Sequence, residues 1–125
     1  MSWEALARAR YLNLESFRRD GTAVRTPLWF APGGDGVLFV YTRADAAKVK
    51  RLRRAPGCRI AACDMRGNVA GPWLDATAAI VSGDVAARGM ALLDRRYWPW
   101  KQLIGVLARL RPGARRVVMA LRARE

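Results

Sequence analysis

The chain contains no histidine, only two cysteines and only ten acidic residues among 125. The absence of histidine excludes Ser–His–Asp triads, histidine-ligated metal sites and a histidine general base. Two cysteines are too few for a cysteine-rich zinc site, and a small disulfide scaffold is not expected. No run of eighteen apolar residues occurs, and the first ten residues lack a continuous hydrophobic stretch. We therefore expect a soluble, cytoplasmic protein with no metal site and no membrane partner.

Positive charge is what the chain has in excess. Twenty arginines and three lysines against ten acids give a net charge of +13. Such a charge favours anionic partners, namely nucleic acid, an acidic membrane or a phosphorylated small molecule. The basic residues are scattered from Arg8 to Arg124, which argues against a nucleic-acid groove. A hydrophobic content of 52% in 125 residues predicts one domain, residues 1–125, with its own core.

Changes in hydrophobic period divide this domain into strands and helices. Strands are predicted over Tyr11–Phe17, Thr22–Ala31, Val37–Thr42, Cys58–Met65, Trp73–Ser82 and Arg115–Ala123. Helices are predicted over Met1–Arg10, over Asp45–Arg54 with Asp45 as cap, from Asp84 to a break at Pro99, and again around residues 103–110. Turns are expected at Asp20-Gly21, which is a strong hairpin signal, and at Pro32–Gly36. Strands joined by hairpins give an antiparallel sheet, and a small sheet avoids open edges by closing into a barrel.

A basic run at the end of the third strand is the first candidate site. Six basic residues and one acid lie between Arg43 and Arg54, and Lys48 falls in the first turn of the predicted helix. The first N–H groups of a helix are unpaired, so an anion can dock there. The run is either a solvated basic face or a site for phosphate or another polyanion, and the pattern alone leaves both open.

Aromatic residues give the second candidate. Trp29 and Tyr41 lie near the ends of neighbouring strands that lead to the basic run, where they serve either as core or as a wall for a planar ring. Cys58 and Cys63 are five residues apart on one strand and so face opposite ways, which predicts two buried thiols. The acids show no catalytic spacing. If the protein is an enzyme, a bound cofactor is therefore expected to supply the reactive group.

Four stretches in sequence carry a resemblance to a known family. They are Tyr11-Leu12 with Asp20-Gly21; Thr26-Pro27-Leu28-Trp29-Phe30; Tyr41-Thr42 followed by Lys48-Val49-Lys50-Arg51-Leu52-Arg53-Arg54 and Pro56; and Ala62-Cys63-Asp64 with Arg66-Gly67. In this order they cover nearly the whole chain, which resembles the pyridoxamine-phosphate-oxidase-like split-barrel flavoproteins. The nearer resemblance is to their deazaflavin-dependent branch, which uses coenzyme F420.

This resemblance implies a mainly β (α+β) fold, a six-stranded antiparallel split β-barrel of the FMN-binding type with edge helices. It also implies a homodimer with the cofactor ring in a groove at the dimer interface. In the oxidase pattern a serine and an arginine precede the lysine, whereas Ala46 and Ala47 precede Lys48 here. Two phosphate contacts of the FMN enzymes are thus missing, so F420 is the expected cofactor and FMN the alternative.

The resemblance also assigns cofactor-binding roles. Thr26, Pro27 and Trp29 would border the ring, partly through backbone groups. Tyr41 and Thr42 would hold the linker hydroxyls and phosphate, and Lys48, Lys50 and Arg51 the anionic tail.

The implied activity is an F420-dependent reductase that passes a hydride to an electron-poor double bond of a small organic molecule. No catalytic side chain is identified, and solvent or a tyrosine such as Tyr11 or Tyr97 could donate the proton. An FMN-dependent oxidoreductase, a non-catalytic cofactor carrier and a nucleic-acid-binding barrel are the alternatives.

Overall fold

A computed structural model describes residues 6, 8–34, 36–43, 46–97 and 116–123. The predicted helix around residues 103–110, the break at Pro99 and the tryptophans at 98 and 100 lie outside these residues. So do most residues of the predicted helix Met1–Arg10.

Six antiparallel strands close into one barrel in the order β1-β2-β3-β6-β5-β4. The strands are β1 (Tyr11–Phe17), β2 (Ala23–Gly34), β3 (Val37–Arg43), β4 (Gly57–Cys63), β5 (Leu74–Val81) and β6 (Arg116–Ala123). This confirms the predicted six-stranded antiparallel barrel, and each predicted strand overlaps an observed one. Closure gives each of these six strands a hydrogen-bonded partner on both sides.

The barrel interior is apolar and takes alternate residues of each strand. The largest buried side chains inside it are Leu12, Leu14, Phe30, Leu38, Ile60, Met119 and Leu121. In β2 the predicted alternation is confirmed, because Leu28 and Phe30 belong to this interior cluster while Trp29 and Ala31 belong to a second cluster outside the barrel. The side chain of Trp29 therefore lies outside the barrel interior.

Two helices cover the barrel within the described residues. Helix α1 (Ala47–Arg54) buries Val49 and Leu52, and Leu52 packs into the barrel interior. Its N-cap position is Ala46 without a side-chain cap, one residue beyond the Asp45 predicted as cap.

Helix α2 (Gly83–Arg96) lies on the outer face of β2, β3 and β6 and buries Leu93 there. Its N-cap position is Ser82, and Asp84, from which the helix was predicted to start, lies in the first turn. No helix among the described residues is long and apolar enough to cross a membrane.

The turn predicted at Pro32–Gly36 is shorter than expected. Strand β2 continues to Gly34 through an irregularity between Pro32 and Gly34. Gly33 permits this, because a Cβ there would lie 2.3 Å from the Phe39 ring. The close approach keeps β2 and β3 paired over the face that α2 covers.

Candidate functional site

Three aromatic side chains form a row across the outer face of neighbouring strands. Tyr11 of β1 is paired with Trp29 of β2. Phe30 pairs with Val40 of β3, and extending this antiparallel register by one residue places Trp29 beside Tyr41. Successive side chains of a strand point to opposite faces, so all three residues of the row share one face.

This row forms the wall of a cavity of about 310 Å³. The cavity is lined by Tyr11, Pro27, Leu28, Trp29, Tyr41 and Met65. Its volume falls at the lower end of the range of about 300–1,000 Å³ found for small-molecule sites. Aromatic side chains in the lining of a cavity suit contact with a planar ring. The cavity is therefore of a size and composition that suit a small planar ligand.

The ring of Trp29 is stacked against that of Tyr97, the residue that follows α2. The two rings stack with centroids 4.8 Å apart and an interplanar angle of 11°. The Tyr97 hydroxyl accepts a hydrogen bond from the Phe30 amide at 3.0 Å and lies 2.7 Å from the Phe30 carbonyl and 2.6 Å from that of Arg10, to which it can donate. Burial raises the pKa of Tyr97.

Because its hydroxyl is hydrogen-bonded to backbone groups, Tyr97 does not suit the role of proton donor, which was one option for it. Tyr11, which lines the cavity, keeps that option as a prediction.

Charged groups lie beside the Tyr41 end of the row. The Arg116 guanidinium carbon is 5.3 Å from the centre of the Tyr41 ring. Burial raises the pKa of Tyr41, the Arg116 charge opposes that rise and the Asp94 carboxylate adds to it. Tyr41 is therefore a neutral hydroxyl at pH 7, beside a cation that favours electron-rich or anionic groups.

The two predicted threonines do not line the cavity. Thr26 is paired with Leu14 and is on the same side of β2 as Leu28, towards the barrel interior. Its side chain and that of Trp29 thus face opposite ways, so Thr26 could reach a ring only through backbone groups. Thr42 is half-buried and paired with Val117, one residue beyond Tyr41.

The three basic residues predicted for the anionic tail lie on α1. Lys48 is half-buried in the first turn, and burial, followed by the charge of Arg51, lowers its pKa. Lys50 is exposed. Only three residues separate Arg43 from the start of α1, so the helix begins no more than about 15 Å from the end of β3.

Arg51 is directed away from the aromatic cavity. Its Nε donates to Ser16 Oγ at 2.8 Å, and the neighbouring Arg54 donates to the Phe17 carbonyl at 3.1 Å. Burial and the charges of Arg18 and Arg54 lower the Arg51 pKa. Ser16 is five residues along β1 from Tyr11, about 16 Å in an extended strand. Ser16 is also on the same side of β1 as Leu12 and Leu14, which face the barrel interior, so Arg51 is bound on the side of the strand opposite to the aromatic row.

A buried carboxylate stabilises the outer face of β1 four residues beyond Tyr11. Glu15 is 0% exposed and accepts hydrogen bonds from Nε of Arg59 at 2.6 Å and Nε of Arg25 at 2.9 Å. Both guanidinium groups also lie over the ring of Trp73, at 4.8 Å for Arg25 and 5.4 Å for Arg59. The Arg59 hydrogen bond is the largest cause of the lowered pKa of Glu15. Trp73 therefore belongs to this ionic cluster and not to the cavity.

The two cysteines are free and buried, as predicted. Burial raises the pKa of Cys58 to about 12 and that of Cys63 to about 11. Both stay protonated thiols at neutral pH and are poor nucleophiles. Within the described ranges, no three cysteine, aspartate or glutamate side chains cluster as metal ligands.

The sequence predicted Pro27, Trp29 and Tyr41 for the site, named Tyr11 only as an option for the proton donor, and gave Met65 no role. The two-residue turn predicted at Asp20-Gly21 would pair residues whose numbers add to 41, whereas the observed hairpin is centred on Asp20 and pairs Tyr11 with Trp29. Met65 carries no local signal, since it reaches the cavity only through the long-range pairing of β1 with β4.

No protein-family model and no curated protein sequence matches the chain. Solved structures do. HutZ, the heme storage protein from Vibrio cholerae, superposes with a TM-score of 0.70 at 19% identity over 98% of this chain and 87% of its own. A candidate pyridoxamine 5′-phosphate oxidase from Listeria innocua gives 0.67 at 13% identity over 98% and 90%. An F420 reductase gives 0.62 at 21% identity over 100% and 95%.

These similarities show that the fold is the split barrel of the pyridoxamine-phosphate-oxidase type, which confirms the fold class predicted from the sequence. Proteins of this fold among the neighbours differ in what they are named for, a heme store in one case and a reductase in another. The fold alone therefore does not select the function.

Proposed function

We propose that this protein is an oxidoreductase that binds a flavin-type cofactor in the aromatic cavity, with the deazaflavin F420 as cofactor and FMN as the alternative. The observation that carries the proposal is the row of Tyr11, Trp29 and Tyr41 along a cavity of about 310 Å³. The F420 reductase among the neighbours adds support from the same fold.

The residues before Lys48 support F420 over FMN, because Ala46 and Ala47 stand where the FMN enzymes have two phosphate-binding side chains. Lys48 lies at the start of α1, where it would bind the phosphate of a cofactor whose ring lies on Tyr41 and Trp29. Arg51 is bound to Ser16, about 16 Å along β1 from Tyr11. Any contact with Arg51 is therefore left to the longer acidic tail of F420.

This chain's residues would bind and orient the ring and shield one of its faces. The cofactor, when bound, would supply hydride transfer to an electron-poor double bond of a small organic substrate. The stacked ring of Tyr97 restricts rotation of the Trp29 side chain. Tyr11 would hold a proton at its hydroxyl at the cavity edge. A second copy of the chain is expected to complete the site, and sedimentation analysis tests this.

Equilibrium titration tests the cofactor. Purified protein is titrated with F420, FMN and hemin, and binding is followed by tryptophan and cofactor fluorescence. Micromolar binding of F420 with weaker binding of FMN is expected. Binding of FMN alone would select the alternative cofactor, and binding of hemin alone would overturn the proposal.

Turnover distinguishes a reductase from a carrier. Reduced cofactor on the protein is mixed with enones, quinones and nitro compounds, and its oxidation is followed by absorbance. Oxidation by at least one acceptor, faster than for free cofactor, is expected. Binding without oxidation by any of them would favour the non-catalytic carrier.

A further inference from the structure

Met65 occupies the lip of the aromatic cavity and is unusually exposed for an apolar side chain. It is 69% exposed, the highest among the large hydrophobic residues described as exposed. It lines the cavity together with Tyr11 and Trp29. A large apolar side chain left in water beside an apolar cavity gains free energy when a ligand covers it.

The turn that carries Met65 is held by several hydrogen bonds. Asp64 Oδ1 accepts from the amides of Arg66 and Asn68, each at 2.9 Å, and Asp64 Oδ2 accepts from Asn68 Nδ2 at 2.9 Å. The Gly67 amide donates to the Asp64 carbonyl at 3.0 Å. Glycine is required at position 67, where φ is +90°.

The same turn is attached to the strand that carries the aromatic row. Asn13 Nδ2 of β1 donates to the Gly67 carbonyl at 2.9 Å. Asn13 is itself 4% exposed, so this attachment is buried beneath the turn. The backbone on both sides of Met65 is thus fixed relative to Tyr11, and little conformational entropy is lost there when a ligand binds.

Methionine suits contact with a planar ring. Its thioether is polarizable, packs favourably at the edge of aromatic systems and adapts to irregular shapes. Trp29 and Tyr41 supply the flat wall of the cavity, and Met65 stands at its rim.

From this arrangement we propose that Met65 is a specificity-determining residue, which covers the edge of a planar heteroaromatic ring bound against Trp29. The inference rests on the proposed function, because it needs a ring in this cavity. It goes further in assigning the contact to a residue outside the basic and aromatic motifs.

Oxidative footprinting tests the contact independently of turnover. The whole protein is treated with a low dose of hydrogen peroxide, with and without oxidised F420 or FMN, and methionine sulfoxide is quantified by peptide mass spectrometry. At ten times Kd, the rate at Met65 is expected to fall about tenfold, since protection follows 1 + [L]/Kd. Met90 reports general changes in reactivity, and Met119, which is 0% exposed, is the buried reference.

Variants test specificity. Met65→Ala is expected to weaken ring binding about threefold to tenfold, and Met65→Leu, which keeps the volume, by less than about twofold. Val69→Ala is the control, because Val69 is 41% exposed on the same loop but does not line the cavity.

The outcomes separate this inference from the proposed function. If a ring cofactor binds by fluorescence but Met65 is oxidised at an unchanged rate, the inference is overturned and the proposed function stands. Protection of Met65 in the ligand-free protein would also overturn it, since a second copy would then cover the residue. If neither F420 nor FMN binds, the proposed function fails and the inference fails with it.

Discussion

Replacing Glu15 by glutamine tests the ionic cluster that supports the outer face of β1. Glutamine keeps the shape of the side chain but removes the charge. Its NH2 group is a hydrogen-bond donor, so it cannot accept the hydrogen bond of one of the two arginines. Removing one partner of a fully buried ion pair costs about 3–5 kcal/mol. The side chains of Arg25 and Arg59 are 53% and 40% exposed, so water recovers part of that loss. We expect Glu15→Gln to lower the free energy of unfolding by about 2 kcal/mol.

The pH dependence has a defined sign. The folded protein lowers the pKa of Glu15, so the carboxylate contributes stability above its unfolded pKa of about 4.3. That contribution is lost as pH falls through the lower, folded pKa. The difference between wild type and Glu15→Gln should therefore be constant near neutral pH and shrink below about pH 4.

Urea unfolding followed by tryptophan fluorescence measures this difference between pH 3 and 7. Asp75→Asn is the matched control, because Asp75 faces Arg59 from β5 but is exposed and should contribute less than about 0.5 kcal/mol. A Glu15→Gln variant as stable as the control at pH 7, or a difference that grows in acid, would refute the reasoning.

Three further predictions concern the site and its supports. Lys48→Ala should weaken cofactor binding at least tenfold by calorimetry, about 1.4 kcal/mol, with Arg53→Ala as control; equal affinities would contradict the placement of the anion. Tyr97→Phe should keep the ring stack but leave the Phe30 amide unpaired, which lowers the free energy of unfolding by about 1–3 kcal/mol in urea; no loss would contradict it. Gly67→Ala should cost about 1–3 kcal/mol and speed amide exchange in the turn, and unchanged exchange would argue against strain there.

Much of the fold was predictable because its signals are local. The alternation in Tyr11–Phe17 and the turn at Asp20-Gly21 define the first hairpin, and the seam of Val49 and Leu52 defines α1. These patterns depend on neighbours within a few residues. The helix starts were predicted less well, because neither N-cap residue makes a side-chain cap. Asp45 comes one residue before the N-cap of α1, and Asp84 comes two residues after the N-cap of α2.

The site was only partly predictable because it combines strands distant in sequence. Trp29 and Tyr41 were singled out by type and by strand position, and the register placed them side by side. No local sequence pattern indicates that Glu15 of β1 pairs with Arg59 of β4, or that Met65 lines the same cavity as Tyr11. The cofactor-binding roles of Thr26, Thr42, Lys48, Lys50 and Arg51 remain predictions.

The most direct test of the central claim is a crystal structure of the protein grown with F420. The account predicts the ring against Trp29 and Tyr41, with Met65 at its edge and the acidic tail running towards α1. A ring bound elsewhere, with the aromatic cavity filled only by solvent, would contradict it.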